Sequence, residues 1–218
     1  MIGFLLLFFL FSIALSLLYL NLVYAAVQAG ILFSVFVIVA MFERIWETFL
    51  TPKDKNALKF RGDWTLLATT TSYFIVSLIF IFAFFLVPEK NYFLSGFGVL
   101  VFIGSIMFRW WAIKTLKNEW TIHLNDSKKE KAILTRTGPY KYIRHPIYLG
   151  AILDLIGLAL ISNFFIGLII VALINVPLFV WRSLYEERMN AIKFGQEYFQ
   201  YKRETPLMIP WQLKKYKK

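Results

Sequence analysis

The stretch Thr137–Gly150, which reads TGPYKYIRHPIYLG, concentrates side chains that could bind a charged ligand. Its Gly-Pro pair predicts a turn in which the backbone can approach a ligand closely. Proline is favoured in the first turn of a helix, so Pro146 predicts a helix start. Arg144 and His145 then stand at a helix N-terminus, a position that favours anions. The pattern therefore predicts a place where an anionic group could bind.

The tyrosines of the same stretch widen the range of ligands that it could hold. Tyr140, Tyr142 and Tyr148 offer flat apolar faces with polar tips. With the basic side chains they could bind a ligand that combines a carboxylate, an aromatic base and a cation. The same residue types are common at a membrane surface, where Arg and Lys extend towards water and Tyr anchors the chain. Composition alone favours that second interpretation, and the pattern leaves both open.

A second charged stretch, Trp181–Arg188, reads WRSLYEER. Arg182 and Glu186 are four residues apart and share one face of a continuing helix, whereas Glu187 turns about 100° away. On an exposed helix such a pair contributes only ~0.3–0.5 kcal/mol. At the mouth of a membrane cavity, charged side chains are costly and usually tied to function.

A third stretch, FGQEYFQYK at positions 194–202, is followed by Pro206 and indicates an amphipathic docking helix. A metal centre is not expected, because the chain has no cysteine and only two histidines. One of these, His123, lies alone in a polar segment, where a histidine is usually structural or exposed to solvent.

The composition is that of a membrane protein. Hydrophobic residues make up 59% of the chain, whereas a soluble domain is nearer ~45–50%. The net charge is +11, but the Lys and Arg residues lie between and after apolar runs. That distribution is typical of the positive-inside rule and of attraction to anionic lipids. No motif for reading bases or phosphates is visible, so nucleic acid is not an expected partner.

The apolar runs predict an all-α, polytopic fold with about six transmembrane helices. The first 42 residues carry no Asp, Glu, Lys or Arg and are long enough for two spans. Three further runs follow, and Ser162-Asn163 divides the last into a helical hairpin of two short halves. The basic segments 43–63 and 114–144 and the tail fall on one side, predicted to be cytoplasmic. The loop and a C-terminal helix are expected to cap a site on that face.

The ordered set RHPxYxG, a paired Glu after an apolar hairpin, and FGxEYxxYxxxxP resembles the isoprenylcysteine carboxyl methyltransferase family. The upstream RWWAI at Arg109–Ile113 is similar to the prokaryotic branch of that family. The resemblance covers roughly residues 105–211. It implies an organisation with transmembrane helices in 1–104 and a methyltransferase core in 105–218.

The resemblance implies a membrane enzyme that takes S-adenosylmethionine from the cytosol and a lipophilic or lipidated acceptor from the bilayer. Arg182 matches an arginine that handles the substrate, and Glu186 matches a contact to the cofactor. Methyl would pass directly to the acceptor, most simply to an ionised carboxylate oriented by Arg182, which requires no general base. The cofactor contacts implied by the resemblance are Ala132, Ile133, Leu134, Thr135, Tyr140, His145, Pro146, Ile147, Tyr148 and Glu186.

Three other functions remain open. A phospholipid N-methyltransferase shares the RHPxYxG and paired-Glu pattern, but a cationic amine gains nothing from an arginine. A sterol-reductase-like enzyme would use NADPH, although such enzymes usually carry an Arg-Asp-Glu run where this chain has Glu186-Glu187. A membrane scaffold would need no cofactor, yet each expected contact position has a chemically suitable residue.

Overall fold

The computed structural model describes residues 28–46, 64–87, 90–116 and 133–209. All regular elements in these ranges are helical, as predicted. A short 3₁₀ turn, Gly138–Lys141, precedes the fourth helix. The helices are α1 (Gln28–Ile45), α2 (Trp64–Leu86), α3 (Tyr92–Leu116), α4 (Pro146–Ser162), α5 (Phe165–Phe194) and α6 (Gln196–Glu204).

Three of these helices, α2, α3 and α5, are long and apolar enough to cross a membrane. Their length and composition identify the chain as an integral membrane protein. Helix α4 is apolar but has only 17 residues, shorter than the ~20 of a typical span. The predicted pair of spans before residue 42 lies partly outside the described residues, so the total of about six crossings stays a prediction.

The predicted break in the last apolar run is confirmed, but its second half is much longer than expected. Asn163 ends α4 in the left-handed conformation, with φ of 57°. Helix α5 then runs for 30 residues instead of forming a short half-span. Its continuity depends on a π-helical turn, Val171–Asn175, just before Pro177. The wider turn accommodates a residue that cannot donate a backbone hydrogen bond.

Helices α3 and α4 pack antiparallel and form the most extensive helix pair among the described residues. Glycines allow this close approach. A Cβ added at Gly98 would lie 2.8 Å from the carbonyl oxygen of Gly157, and one added at Gly157 would lie 3.0 Å from the backbone nitrogen of Phe102. The two backbones are therefore in direct contact along this seam. The contact fixes the position of α4, whose first turn lies at the site described below.

Arg109 departs from the interfacial role that its sequence context predicts. The neighbouring Trp110 and Trp111 are about half exposed, as expected of membrane-surface anchors, but Arg109 is fully buried. Its guanidinium pairs with Asp154 of α4 and with Glu43 of α1, the latter at 2.7 Å. Burial of this charge is tolerated because opposite charges surround it inside the bundle.

The two ends of the bundle differ in character. At one end, Lys90 donates hydrogen bonds to the last carbonyls of two helices, at Phe84 and Ser162, where helix dipoles favour a cation. Asn163 lies at the same end and accepts a hydrogen bond from the backbone of Asn91. The opposite end carries the start of α4 and the charged part of α5.

Candidate active site

The candidate site begins at the predicted helix start. Gly138 has a φ of +57°, and a Cβ there would lie 2.6 Å from the Thr115 hydroxyl oxygen, so the turn requires glycine. Helix α4 starts at Pro146, as the sequence predicts. The backbone N–H of His145 donates to the carbonyl of Leu207 at 3.0 Å. The C-terminal segment is thereby attached directly to the residue at the centre of the site.

His145 lies buried between the two adjacent glutamates of α5. Its Nδ1 is 3.6 Å from Glu186 Oε2, and its Nε2 is 3.5 Å from Glu187 Oε1. Burial alone would lower the pKa of His145, but the contacts with both carboxylates outweigh it and raise the pKa above its usual value. The imidazole therefore favours its cationic form, with both nitrogens as donors.

Glu187 is occupied by the protein itself. Its buried carboxylate accepts a hydrogen bond of 2.6 Å from Arg144 Nε and forms an ion pair with Lys202 Nζ at 2.8 Å. Arg144 also donates to the backbone carbonyls of Lys202 and Thr205 in and after α6. Arg144 is thus engaged in holding the tail in place, and does not present the unoccupied anion-binding position that the sequence suggests.

Glu186 is in a different environment. Its carboxylate accepts a hydrogen bond of 2.9 Å from the Tyr148 hydroxyl and keeps 28% of its side-chain surface exposed. The Tyr148 ring stacks on the His145 ring, with centroids 5.6 Å apart and planes 11° from parallel. Glu186 therefore combines a fixed position with access from outside, as a binding carboxylate requires.

Arg182 joins this group through Tyr148. Its Nε donates to the Tyr148 hydroxyl at 3.0 Å, and its Nη1 donates to the Thr65 hydroxyl of α2 at 3.0 Å. The side chain is nearly fully buried. The sequence predicts that Arg182 and Glu186 share a helix face, and the structure confirms it, with one hydroxyl bridging the two charges.

The remaining predicted cofactor contacts are less closely associated with His145. Ile147 packs in a small apolar cluster with Tyr140 and Ala112. The Ile133 side chain is 74% exposed. Pro146 is buried, whereas Leu134 and Thr135 are partly buried in the extended segment before the turn. Ala132 and His123 lie outside the described residues.

Two further residues of the site carry no recognisable signal in the sequence. Thr65 belongs to an apolar helix without a motif, and only the folded bundle brings it to Arg182. Lys202 lies in an amphipathic helix with two adjacent basic residues, Lys202 and Arg203, between which the pattern does not distinguish. Tyr142, by contrast, was expected to offer a binding face and is about half exposed.

The site can bind a ligand that carries both signs of charge. The His145 Nε2 is buried and makes no hydrogen bond within the part of the chain that the structure describes, although Glu187 Oε1 lies 3.5 Å away. A buried donor of this kind favours an anionic partner. The accessible Glu186 carboxylate, on the other side of the same ring, favours a cation or a hydroxyl donor. An amino-acid zwitterion has this combination of groups.

The sequence and fold can be compared with those of known proteins. Residues 93–197, which include nearly all of α3 and the whole of α4 and α5, match the phospholipid methyltransferase family model. The solved structure of a eukaryotic intramembrane Ras methyltransferase, isoprenylcysteine carboxyl methyltransferase, superposes with a TM-score of 0.63. That match has 20% identity and covers 84% of this chain and 67% of the other, so it shows a shared fold.

Two curated relatives agree with that fold. Protein-S-isoprenylcysteine O-methyltransferase B of Arabidopsis thaliana is 27% identical over 123 residues, which are 56% of this chain and 62% of the relative. The enzyme named protein-S-isoprenylcysteine O-methyltransferase in Saccharomyces cerevisiae is 27% identical over 191 residues, which cover 82% of this chain and 80% of the relative. The chain is therefore similar in sequence and fold to isoprenylcysteine carboxyl methyltransferases, and just under half of it matches the phospholipid methyltransferase family model.

These similarities confirm the resemblance drawn from the RHPxYxG and paired-Glu motifs. The motif residues His145, Tyr148 and Glu186 all lie inside the range matched by the family model. Thr65 lies outside that range, although it contacts Arg182. The prokaryotic branch stays a prediction.

Proposed function

We propose that this protein is an S-adenosylmethionine-dependent methyltransferase that methylates the carboxylate of a prenylcysteine-like or other lipidic acceptor. One observation carries the proposal: Tyr148 joins the accessible Glu186 to the buried Arg182, at 2.9 Å and 3.0 Å. A site for a cationic donor and a site for an anionic acceptor would then lie on either side of one phenol ring. That is the arrangement required for methyl transfer from a sulfonium to a carboxylate.

The cofactor side would be formed by His145, Tyr148 and Glu186. His145, in its cationic form, would bind the carboxylate at the amino-acid end of the cofactor. Glu186 would accept a hydrogen bond from the cofactor's ammonium group or from a ribose hydroxyl. When bound, S-adenosylmethionine supplies a methyl group whose bond to sulfur breaks, with the electron pair returning to sulfur, as the acceptor oxygen bonds to carbon. Residues 132–135, with Tyr140, Pro146 and Ile147, would shield the rest of the cofactor from water.

The acceptor side would be formed by Arg182. Its guanidinium is buried and donates hydrogen bonds to the hydroxyls of Tyr148 and Thr65. A carboxylate held by such a group is oriented and partly dehydrated, and alignment and dehydration are what this displacement requires. The carboxylate is already ionised, so no proton has to be removed.

A phospholipid amine is the second candidate acceptor, because the matched family model is that of phospholipid methyltransferases. An amine would have to lose a proton, and Glu186 would be the base. The buried positive charge of Arg182 disfavours a cationic headgroup at the same place. The carboxylate acceptor therefore comes first.

We also propose how the protein sits in the membrane and how its chain is divided. About six spans would place both termini, the basic loops and the site on the cytoplasmic side, where the donor is available. Residues 1–104 would supply transmembrane helices, and residues 105–218 the methyltransferase core. Membrane lipids and a lipophilic acceptor would be its partners.

The proposal is tested by following labelled methyl from S-adenosylmethionine into three compounds: farnesylated N-acetylcysteine, its methyl ester and phosphatidylethanolamine. We expect label in the free carboxylic acid as a base-labile ester, and none in the compound already esterified. Arg182→Ala should remove this turnover and leave S-adenosylhomocysteine affinity unchanged. Label in phosphatidylethanolamine alone would establish the second candidate, and label in none would contradict both.

A further inference from the structure

Helix α2 contributes one side chain to the group around Arg182. Thr65 lies in the first turn of α2, is 2% exposed, and accepts a hydrogen bond of 3.0 Å from Arg182 Nη1. A second guanidinium contact, from Nε to the Tyr148 hydroxyl, joins Arg182 to α4. A planar guanidinium held at two of its nitrogens by groups on two different helices cannot turn freely.

The direction of these hydrogen bonds gives Thr65 a defined part. Arg182 can only donate, so both hydroxyls accept from it. Tyr148 has one hydroxyl proton, which it donates to Glu186. The chain of contacts therefore runs Thr65, Arg182, Tyr148, Glu186, with Thr65 at the end remote from the cofactor side. A change at Thr65 acts first on Arg182.

Two exposed tryptophans flank the buried Thr65–Arg182 contact. The rings of Trp64 and Trp181, each beside a member of the pair, meet edge to face at 5.7 Å and are more than half exposed. Exposed indoles of this kind mark the level of the membrane surface. The Thr65–Arg182 contact therefore lies just inside the seam between α2 and α5, near the level of the membrane surface.

We propose that Thr65 is a positioning residue for the acceptor, holding the Arg182 guanidinium in the orientation that receives the acceptor carboxylate. This inference rests on the proposed function and extends it to a helix outside the region matched by the family model. Part of the discrimination in favour of a carboxylate acceptor then comes from α2.

The test compares the affinities of farnesylated N-acetylcysteine and its methyl ester by isothermal titration, because their ratio reports the interaction with the carboxylate without requiring turnover. Thr65→Val keeps the shape of the side chain and removes the hydroxyl. We expect it to reduce the preference for the free carboxylate about tenfold, the scale of one hydrogen bond to a charged group. Thr65→Ser should restore the preference, and S-adenosylhomocysteine affinity should stay unchanged in both.

Thr69→Val is the matched control. Thr69 is also buried in α2, but its hydroxyl donates to the carbonyls of Thr65 and Leu66 in its own helix. We expect this variant to keep the wild-type preference. An unchanged preference in Thr65→Val, an equal loss in Thr69→Val, or a loss of S-adenosylhomocysteine affinity in Thr65→Val would each overturn the inference. Wild-type protein that binds S-adenosylhomocysteine but does not prefer the carboxylate would overturn the proposed acceptor and, with it, this role of Thr65.

Discussion

At the scale of single residues, two adjacent glutamates on one helix are placed for different tasks. Glu187 is surrounded by cations of the protein, with Arg144 at 2.6 Å and Lys202 at 2.8 Å. Glu186 is bonded to a neutral phenol at 2.9 Å and remains accessible. The division follows from the 100° step between consecutive helical residues, which turns one carboxylate towards the tail and the other towards the site.

This division predicts different outcomes for two similar substitutions. Glu186→Gln removes the charge that would receive the ligand cation, so we expect S-adenosylhomocysteine binding to be lost while the melting temperature stays near that of the wild type. Glu187→Gln leaves buried cations without their carboxylate, so the melting temperature should fall, by several degrees for each ~1 kcal/mol lost. Isothermal titration and thermal unfolding in detergent measure the two effects.

Glu204→Gln is a suitable control, because Glu204 is an exposed residue of α6 whose contact is with the neutral side chain of Gln200, at 2.9 Å. It should change neither quantity. Equal loss of S-adenosylhomocysteine affinity in the Glu186 and Glu204 variants would contradict the assignment of Glu186.

The raised pKa of His145 predicts the pH dependence of stability. A group whose pKa is higher in the folded state contributes stability that is fully present below its unfolded value of about 6.5 and is lost as pH rises through the folded value. The stability difference between wild type and His145→Asn should therefore be largest below pH ~6.5 and shrink at higher pH. Thermal unfolding of both proteins at pH values below and above about 6.5 measures this difference. A difference that grows with pH would show that folding lowers the pKa of His145.

At the scale of elements, the sequence predicts where helices end better than it predicts which residues contact one another across helices. The helix start at Pro146 and the break at Asn163 follow from backbone preferences of these residues, and both are confirmed. The full length of α5 was not predicted, because a π-helical turn carries the helix past Pro177. The burial of Arg109 could not be read from its neighbours, because its partner Asp154 is 45 positions away.

The buried pair of Arg109 and Asp154 predicts a large effect on stability. Asp154 also accepts from the Ser105 hydroxyl and, at 3.3 Å, from the Tyr73 hydroxyl, so it links α2, α3 and α4. Asp154→Asn removes the fully buried carboxylate of those that balance Arg109 and should cost about 3–5 kcal/mol of unfolding free energy. Denaturant unfolding in mild detergent measures the loss. A variant as stable as the wild type would show that this network does not hold the bundle together.

Some residues of the candidate site could be predicted from the sequence, and others could not. The residues of the RHPxYxG and paired-Glu motifs, His145, Tyr148 and Glu186, are brought together as predicted. Thr65 could not be predicted, because a threonine in an apolar helix has many roles and only the tertiary fold selects one. The attachment of Arg144 to Glu187 and the tail likewise depends on packing of elements remote in sequence.

At the scale of the whole molecule, the polar groups of the site gather at one end of the bundle. The contacts of Arg182 with Thr65 and of Arg144 with the tail join helices α2, α5 and α6 at this end. Lys90 and Asn163 occupy the other end. This separation supports a topology in which a water-soluble donor approaches from one face while a lipophilic acceptor arrives through the bilayer.

The most direct test of this account is isothermal titration of the purified, detergent-solubilised protein with S-adenosylhomocysteine, with NADPH titrated in parallel. We expect saturable binding of S-adenosylhomocysteine and none of NADPH. Binding of NADPH alone would contradict it in favour of a reductase, and binding of neither compound would leave a membrane scaffold as the function of this fold.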